Sequence, residues 1–237
     1  MCAAIWTTGV AAPLNDAVVG KTTYRLINSK YPPIALFENL LDPDELEVAY
    51  ALESLTNDRL RQEAGDLYRV PPQDRLVGPG SSPIMAAFTH VGFPSRFSDG
   101  RFGIYYAGLE RQTAIAESMY SQARRLSATA EGPVELTLRA YTCRVNAPLL
   151  DVTGDGFENL HLPDDWSPAQ RFGESARNED EKGILYRSVR LDGGHCIAAL
   201  RTRALKPPAS QAAHYRFVWN GEAITDVLKV EAVRINQ

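Results

Sequence analysis

Cysteine and histidine are scarce in this sequence. Of 237 residues, three are cysteine and four are histidine. Cys2, Cys143 and Cys196 are odd in number and widely spread, with no CxxC pair and no Cys/His cluster. That argues against a disulfide framework and a structural zinc site, and fits reduced thiols. His90, His161, His195 and His214 show no HExxH pattern and no i, i+4 pair, so no metal is expected. An excess of charge of one sign is also missing. The chain carries 25 basic and 29 acidic residues, a net charge of −4. No basic surplus points to direct nucleic-acid binding, and no polybasic run points to an anionic membrane surface. No stretch approaches about 18 uncharged apolar residues, so no membrane span is expected. Residues 1–19 lack a basic start followed by an apolar run, which reads against a secretory signal. The expectation is a soluble, cytoplasmic protein.

Familiar nucleotide signatures are absent as well. Gly78-Pro79-Gly80 is not followed by Gly-Lys-Ser/Thr, and no Gly-x-Gly-x-x-Gly follows a strand pattern. Ser188 has no Gly-x-Ser-x-Gly elbow around it, which removes it as an acyl-enzyme nucleophile.

What is present is enough apolar character, 44% of residues, to bury a sizeable core. Asp42, Pro43 and Glu45 form a capping pattern. Leu46, Ala49, Leu52 and Leu55 follow at every third residue, predicting a helix to about Gly65. From Val70 to Arg101, prolines and glycines predict loop, and so long a loop in a compact domain is more often functional than idle. Phe102 to Ala107 reads as a short buried strand and Arg111 to Leu126 as a helix. Val134 to Val145 reads as a strand, Asp151 to Asp165 as loop, and Ser167 to about Ala176 as a capped helix. Four further strands are predicted over Gly183 to Val189, His195 to Leu200, His214 to Trp219 and Val227 to Ile235. Gly193-Gly194 marks a turn between the first two. Few helices and many short strands make an α+β arrangement around a mixed or antiparallel sheet with flanking helices and an N-terminal helical extension. The expected division is residues 1–69 as N-terminal extension or subdomain and residues 70–237 as the main domain.

The most informative stretch is Pro94-Ser95-Arg96-Phe97-Ser98-Asp99-Gly100-Arg101-Phe102-Gly103-Ile104-Tyr105-Tyr106-Ala107-Gly108, continuing through Thr113-Ala114-Ile115-Ala116-Glu117. Later comes Gly183-Ile184-Leu185-Tyr186-Arg187-Ser188, followed by Gly193-Gly194-His195-Cys196. In order and spacing these segments resemble the RES-domain family, over roughly residues 70 to 205. The first 65 residues match its longer, ParT-like branch. The resemblance implies an ADP-ribosyltransferase-like fold. It also implies a toxin neutralised by an Xre-like helix-turn-helix antitoxin, and NAD as a consumed substrate with no resident cofactor. Such proteins either transfer ADP-ribose to a protein or degrade NAD by hydrolysis or phosphorolysis, and the long form inclines the reading to protein transfer. A homodimer within the toxin–antitoxin complex is compatible with it.

The residues themselves suit that chemistry. Breaking the nicotinamide–ribose bond passes through an oxocarbenium-like state, and a carboxylate stabilises the growing charge more than it stabilises the ground state. Glu117 is the carboxylate, with Arg75 and Ser188 as catalytic partners. Arg96, Tyr106, Arg25 and His90 are candidates for binding NAD. Arginine forks suit a pyrophosphate. By the resemblance, the first functional arginine stands upstream of the Arg-Phe motif. Arg75 fits, with Arg25 as its chief rival and Arg69 and Arg101 as lesser ones. Tyr106 offers an aromatic face to cationic nicotinamide, whereas Tyr105 points to the opposite face and is structural. Ser188 serves a ribose hydroxyl or orients Glu117, and His90 lines the pocket. A rival reading is a non-catalytic module that grips a partner through the capped N-terminal helix. The two readings part on geometry. An enzyme requires Glu117, Ser188, Tyr106 and either Arg25 or Arg75 to converge.

Overall fold

The computed structural model describes residues 12–29, 67–129 and 131–231. The capped helix expected over Asp42 to Gly65 lies outside the described residues. So does the end of the last predicted strand, beyond residue 231.

Nine strands form one sheet. They are β1 (Leu14–Asn15), β2 (Thr22–Asn28), β3 (Tyr105–Gly108), β4 (Val134–Val145) and β5 (Leu149–Asp151), then β6 (Gly183–Arg187), β7 (His195–Ala199), β8 (Leu205–Trp219) and β9 (Ile224–Val230). Their order is β1-β5-β6-β7-β3-β2-β4-β8-β9, and every neighbour is antiparallel except β5 and β6. Among the described residues there are three α-helices: α1 (Ser82–Thr89), α2 (Arg111–Ser127) and α3 (Ser167–Asn178). None is long and apolar enough to cross a membrane. The α+β expectation is met, with a mostly antiparallel sheet and helices against it.

Two expectations need correction. Residues 70–101 are not all loop, because α1 lies within them. Six of its eight residues are buried, so it lacks the polar face that periodicity detects. The sheet also does not respect a boundary at residue 69. Strands β1 and β2 come from the stretch assigned to the N-terminal extension, and β2 lies in the middle of the sheet between β3 and β4. Its sequence, Thr-Thr-Tyr-Arg-Leu-Ile-Asn, alternates weakly.

The pleat sorts side chains into two layers. On one face Tyr105 and Ala107 of β3, with Ile197 and Ala199 of β7, pack with Leu67, Val70 and the α1 residues Ile84 and Met85. On the other face Cys196 and Ala198 of β7, with Ile184 and Tyr186 of β6, pack with Phe97 and the α3 residues Ala169 and Phe172. Helix α2 lies on this second face, where Ile115 and Met119 meet Leu26, Leu138 and Ala140. A buried carboxylate lies beside the first layer: Asp74, only 2% exposed, is bonded by Arg201 at 3.3 Å and by the more exposed Arg203 at 2.7 Å.

The sheet's sparsest seam lies between β2 and β3. β2 runs beside β4 over seven residue pairs, but meets β3 at the single pair Tyr24 and Gly108. Beyond that pair β2 and β3 no longer share a ladder. The seam lies between two well-paired halves, next to the start of α2.

Candidate active site

Helix α2 starts where β3 ends, and Gly108 makes this possible. A Cβ there would lie 2.6 Å from the amide nitrogen of Ala114 and 2.9 Å from the carbonyl of Glu110. Bare backbone therefore lets the first turn of α2 fold back over the strand. Thr113 and Ala114 are buried against the sheet. Glu117 follows one turn later on the same side, half-buried.

Ser188 follows β6 directly. Its Oγ accepts hydrogen bonds from the amides of Arg190 and Leu191, each at 3.1 Å, and donates to Glu117 Oε1 at 2.6 Å. A hydroxyl has one proton and two lone pairs. With amides on the acceptor side, the proton is directed at the carboxylate. The length is that of a charge-assisted bond. A second clamp joins the same turn to α2. Arg190 lies 3.3 Å above the ring of Tyr120, three residues past Glu117, and donates to Pro163 O at 2.8 Å. One turn further, Arg124 stacks on Trp166 at 4.2 Å. Glu117, Tyr120 and Arg124 thus form one stripe facing the 188–191 turn and the 163–166 loop.

Tyr186 and Cys196 lie beneath Glu117. Burial pushes both the phenol and the thiol well above their ordinary values, and the Glu117 charge adds to the effect in each. Cys196 is therefore a protonated, inert thiol at neutral pH. The sequence assigns neither residue a role, because strands buried on both faces carry no chemical signal of their own.

Tyr106 shares this face. Its hydroxyl accepts from the amide of Phe97 at 2.9 Å and bonds Ser95 Oγ at 2.9 Å, and burial pushes its pKa up to about 12. The hydroxyl is committed to holding the 95–98 loop. Gly173 of α3 is the other anchor of this loop, since a Cβ there would collide with the carbonyl of Phe97. Arg96 is 8% exposed and donates through Nη1 to Leu160 O and Leu162 O, both at 3.0 Å. The structure places it in the wall of the site, with that nitrogen bonded to protein carbonyls.

The two rival arginines are placed differently. Arg25 leaves β2 on the face opposite α2, stacks 4.8 Å over Tyr105, and donates from Nη1 to Tyr106 O at 3.1 Å. Its guanidinium therefore ends at the seam, against the residue that carries the Tyr106 ring. Its Nε is buried without a hydrogen-bond partner. Burial lowers its pKa, opposed by Tyr105 and Tyr106, yet a guanidinium starts so high that it stays charged. Arg75 lies in the α1 layer and donates from Nε to Val70 O at 3.1 Å. His90 caps the end of α1, with Nδ1 against Ala86 O at 3.1 Å. The structure thus brings Glu117 and Ser188 into contact, sets Tyr106 and Arg96 on the same face, and brings Arg25 to the seam. Arg75 and His90 lie in the other layer, and so does the Arg25 guanidinium where it stacks on Tyr105, so neither rival arginine meets Glu117 on its own face of the sheet.

A carboxylate held by an oriented hydroxyl, partly shielded from water, can stabilise positive charge developing on a sugar. At the seam the Arg25 guanidinium keeps its positive charge while its Nε stays buried without a partner.

Comparison with known proteins adds relatives. The RES domain model matches residues 66–220. The uncharacterized protein y4oC of Sinorhizobium fredii is 31% identical over 215 residues, covering 90% of this chain and 89% of that protein. A chain in the crystal structure of the M. tuberculosis MbcT-MbcA toxin–antitoxin complex superposes with a TM-score of 0.44 at 15% identity, covering 83% of this chain and 84% of that one.

Proposed function

This chain belongs to the RES domain family, and from that membership we propose that it is the toxin of a toxin–antitoxin pair, one that breaks the nicotinamide–ribose bond of NAD and passes ADP-ribose to a cellular protein. The observation that carries the reading is the 2.6 Å bond from Ser188 to Glu117. It holds the Glu117 carboxylate through one oxygen, and in this reading the other oxygen faces the sugar. Nicotinamide leaves with the bonding electron pair and becomes neutral. The anomeric carbon takes a lone pair from the acceptor, and the acceptor's proton is released to Glu117 or water. Arg25, which leaves β2 on the opposite face but reaches Tyr106 O at the seam, is the arginine we assign to the pyrophosphate. NAD is consumed and no resident cofactor is required. The natural partner is an Xre-like helix-turn-helix antitoxin that occludes this face.

The test is purified protein with NAD, in the presence and absence of cell extract. Nicotinamide release together with labelled extract protein is the expected result. Release without any labelled protein makes water or phosphate the acceptor. No nicotinamide under either condition refutes the proposal. In cells lacking the antitoxin, Glu117→Ala is expected to relieve growth inhibition while the protein stays folded.

A further inference from the structure

One imidazole outside the catalytic pair holds the strand end that delivers Ser188. His161 ends the 3-10 turn Glu158–His161. Its Nδ1 lies 2.9 Å from Phe157 O, and its Nε2 lies 3.1 Å from the amide nitrogen of Arg187. A carbonyl only accepts and an amide N–H only donates. Both contacts are satisfied together by one form alone, the neutral ring protonated on Nδ1.

The amide it meets has a particular place in the sheet. β5 pairs with β6 through Leu150 with Ile184 and Asp151 with Leu185, and the amide of Val152 then bonds Leu185 O. Past that point β5 has left β6. The next β6 amide on that edge is that of Arg187, and His161 Nε2 takes the place of the missing strand neighbour. Arg187 immediately precedes Ser188, whose own amide bonds Gly194 O on the opposite edge at 2.8 Å. The strand end is thus gripped from both sides one residue apart.

The turn that carries the imidazole is itself fixed. Arg96 bonds the carbonyls on either side of His161, those of Leu160 and Leu162. Leu160 is fully buried, and Phe157 packs edge-on against Phe172 of α3. Arg96, expected from the sequence as a ligand for phosphate, braces the turn that carries His161.

We propose that His161, as a neutral imidazole, is a positioning residue for the Ser188–Glu117 pair. This rests on the catalytic reading of that pair. A 2.6 Å bond tolerates little drift, and displacement by about 1 Å can cost about 100-fold in rate.

The His161 ring also lies 6.5 Å from that of Tyr186, and two variants separate positioning from this packing. In His161→Gln, the side-chain oxygen reaches the position of Nε2 and accepts from the Arg187 amide. In His161→Asn, the amide keeps the bond to Phe157 O and loses the one to Arg187. His161→Gln is expected to keep most of kcat. His161→Asn is expected to lose about 100-fold in kcat with KM for NAD nearly unchanged. Thermal midpoints of the two should be similar. Equal losses in both variants that track their stability overturn the proposal, as does full activity in both. A wild-type protein inert toward NAD would refute the catalytic reading instead. Amide exchange then decides: protection of the Arg187 and Ser188 amides should survive in His161→Gln and fall in His161→Asn. Equal protection in the two refutes positioning by His161.

Discussion

Ser188→Ala is the sharpest single perturbation of the site. The serine oxygen accepts two backbone amides and donates its proton to Glu117 at 2.6 Å. Alanine removes all three contacts without adding bulk. The bond to the carboxylate belongs to the class worth about 1.5–3 kcal/mol, because its acceptor is charged. If that stabilisation is realised in the transition state, where Glu117 faces the ribosyl cation, the loss corresponds to about 10- to 100-fold in kcat, at about 1.4 kcal/mol per factor of ten. The amides of Arg190 and Leu191 sit in a partly exposed turn where water can replace the hydroxyl, so the fold should survive. The assay is the initial rate of nicotinamide release from NAD over a range of concentrations, with circular dichroism to verify folding. The expected signature is a fall in kcat with little change in KM, and Ser188→Thr should restore most of the rate. A folded Ala variant with an unchanged kcat would refute the reasoning, above all if Glu117→Gln were inactive. So would a rise in KM alone, since that marks uniform binding rather than help given to the transition state.

The two arginines make a paired prediction. Arg25→Ala should raise KM for NAD by about 10- to 100-fold, the worth of a charge-assisted contact. Arg75→Ala, which strips a bond from the buried Val70 carbonyl, should lower unfolding stability by about 1–3 kcal/mol and leave KM alone. The reverse pattern in steady-state kinetics and urea titration would reinstate Arg75 as the ligand. A pH dependence follows from His161, whose pKa is lowered first by burial and further by Arg187 and Arg96, while the bond to Phe157 O and the charge of Glu158 oppose this. A histidine held neutral binds fewer protons folded than unfolded. Its contribution to stability is therefore complete above the unfolded value near about 6.5 and drains away as pH falls through the lower folded value. Denaturation midpoints of the wild type should fall more steeply than those of His161→Gln below about pH 6.5. Parallel curves would remove His161 as the source.

The sequence by itself determined a good deal. Its counts and spacings carried the α+β class, because alternating strands such as Val134–Val145 and helices opened by a first-turn proline such as Ser167–Asn178 are local patterns, although the side-chain cap expected for that helix is not made. The order of Arg96, Tyr106, Glu117 and Ser188 identified the family, because a family pattern is written along the chain. Only the tertiary structure decided which of these residues meet. Glu117 and Ser188 lie 71 positions apart and touch. Arg96 and Arg75 bind backbone carbonyls instead of standing open, and a guanidinium's partners are not encoded beside it. β2 sits at the centre of the sheet although its own pattern is weak, since its place is set by pairing with the distant β4. His161 carries no motif at all. Its role arises where β5 leaves β6 and one amide is left for an imidazole to bind, which is a fact of pairing across space and not of any neighbouring residue.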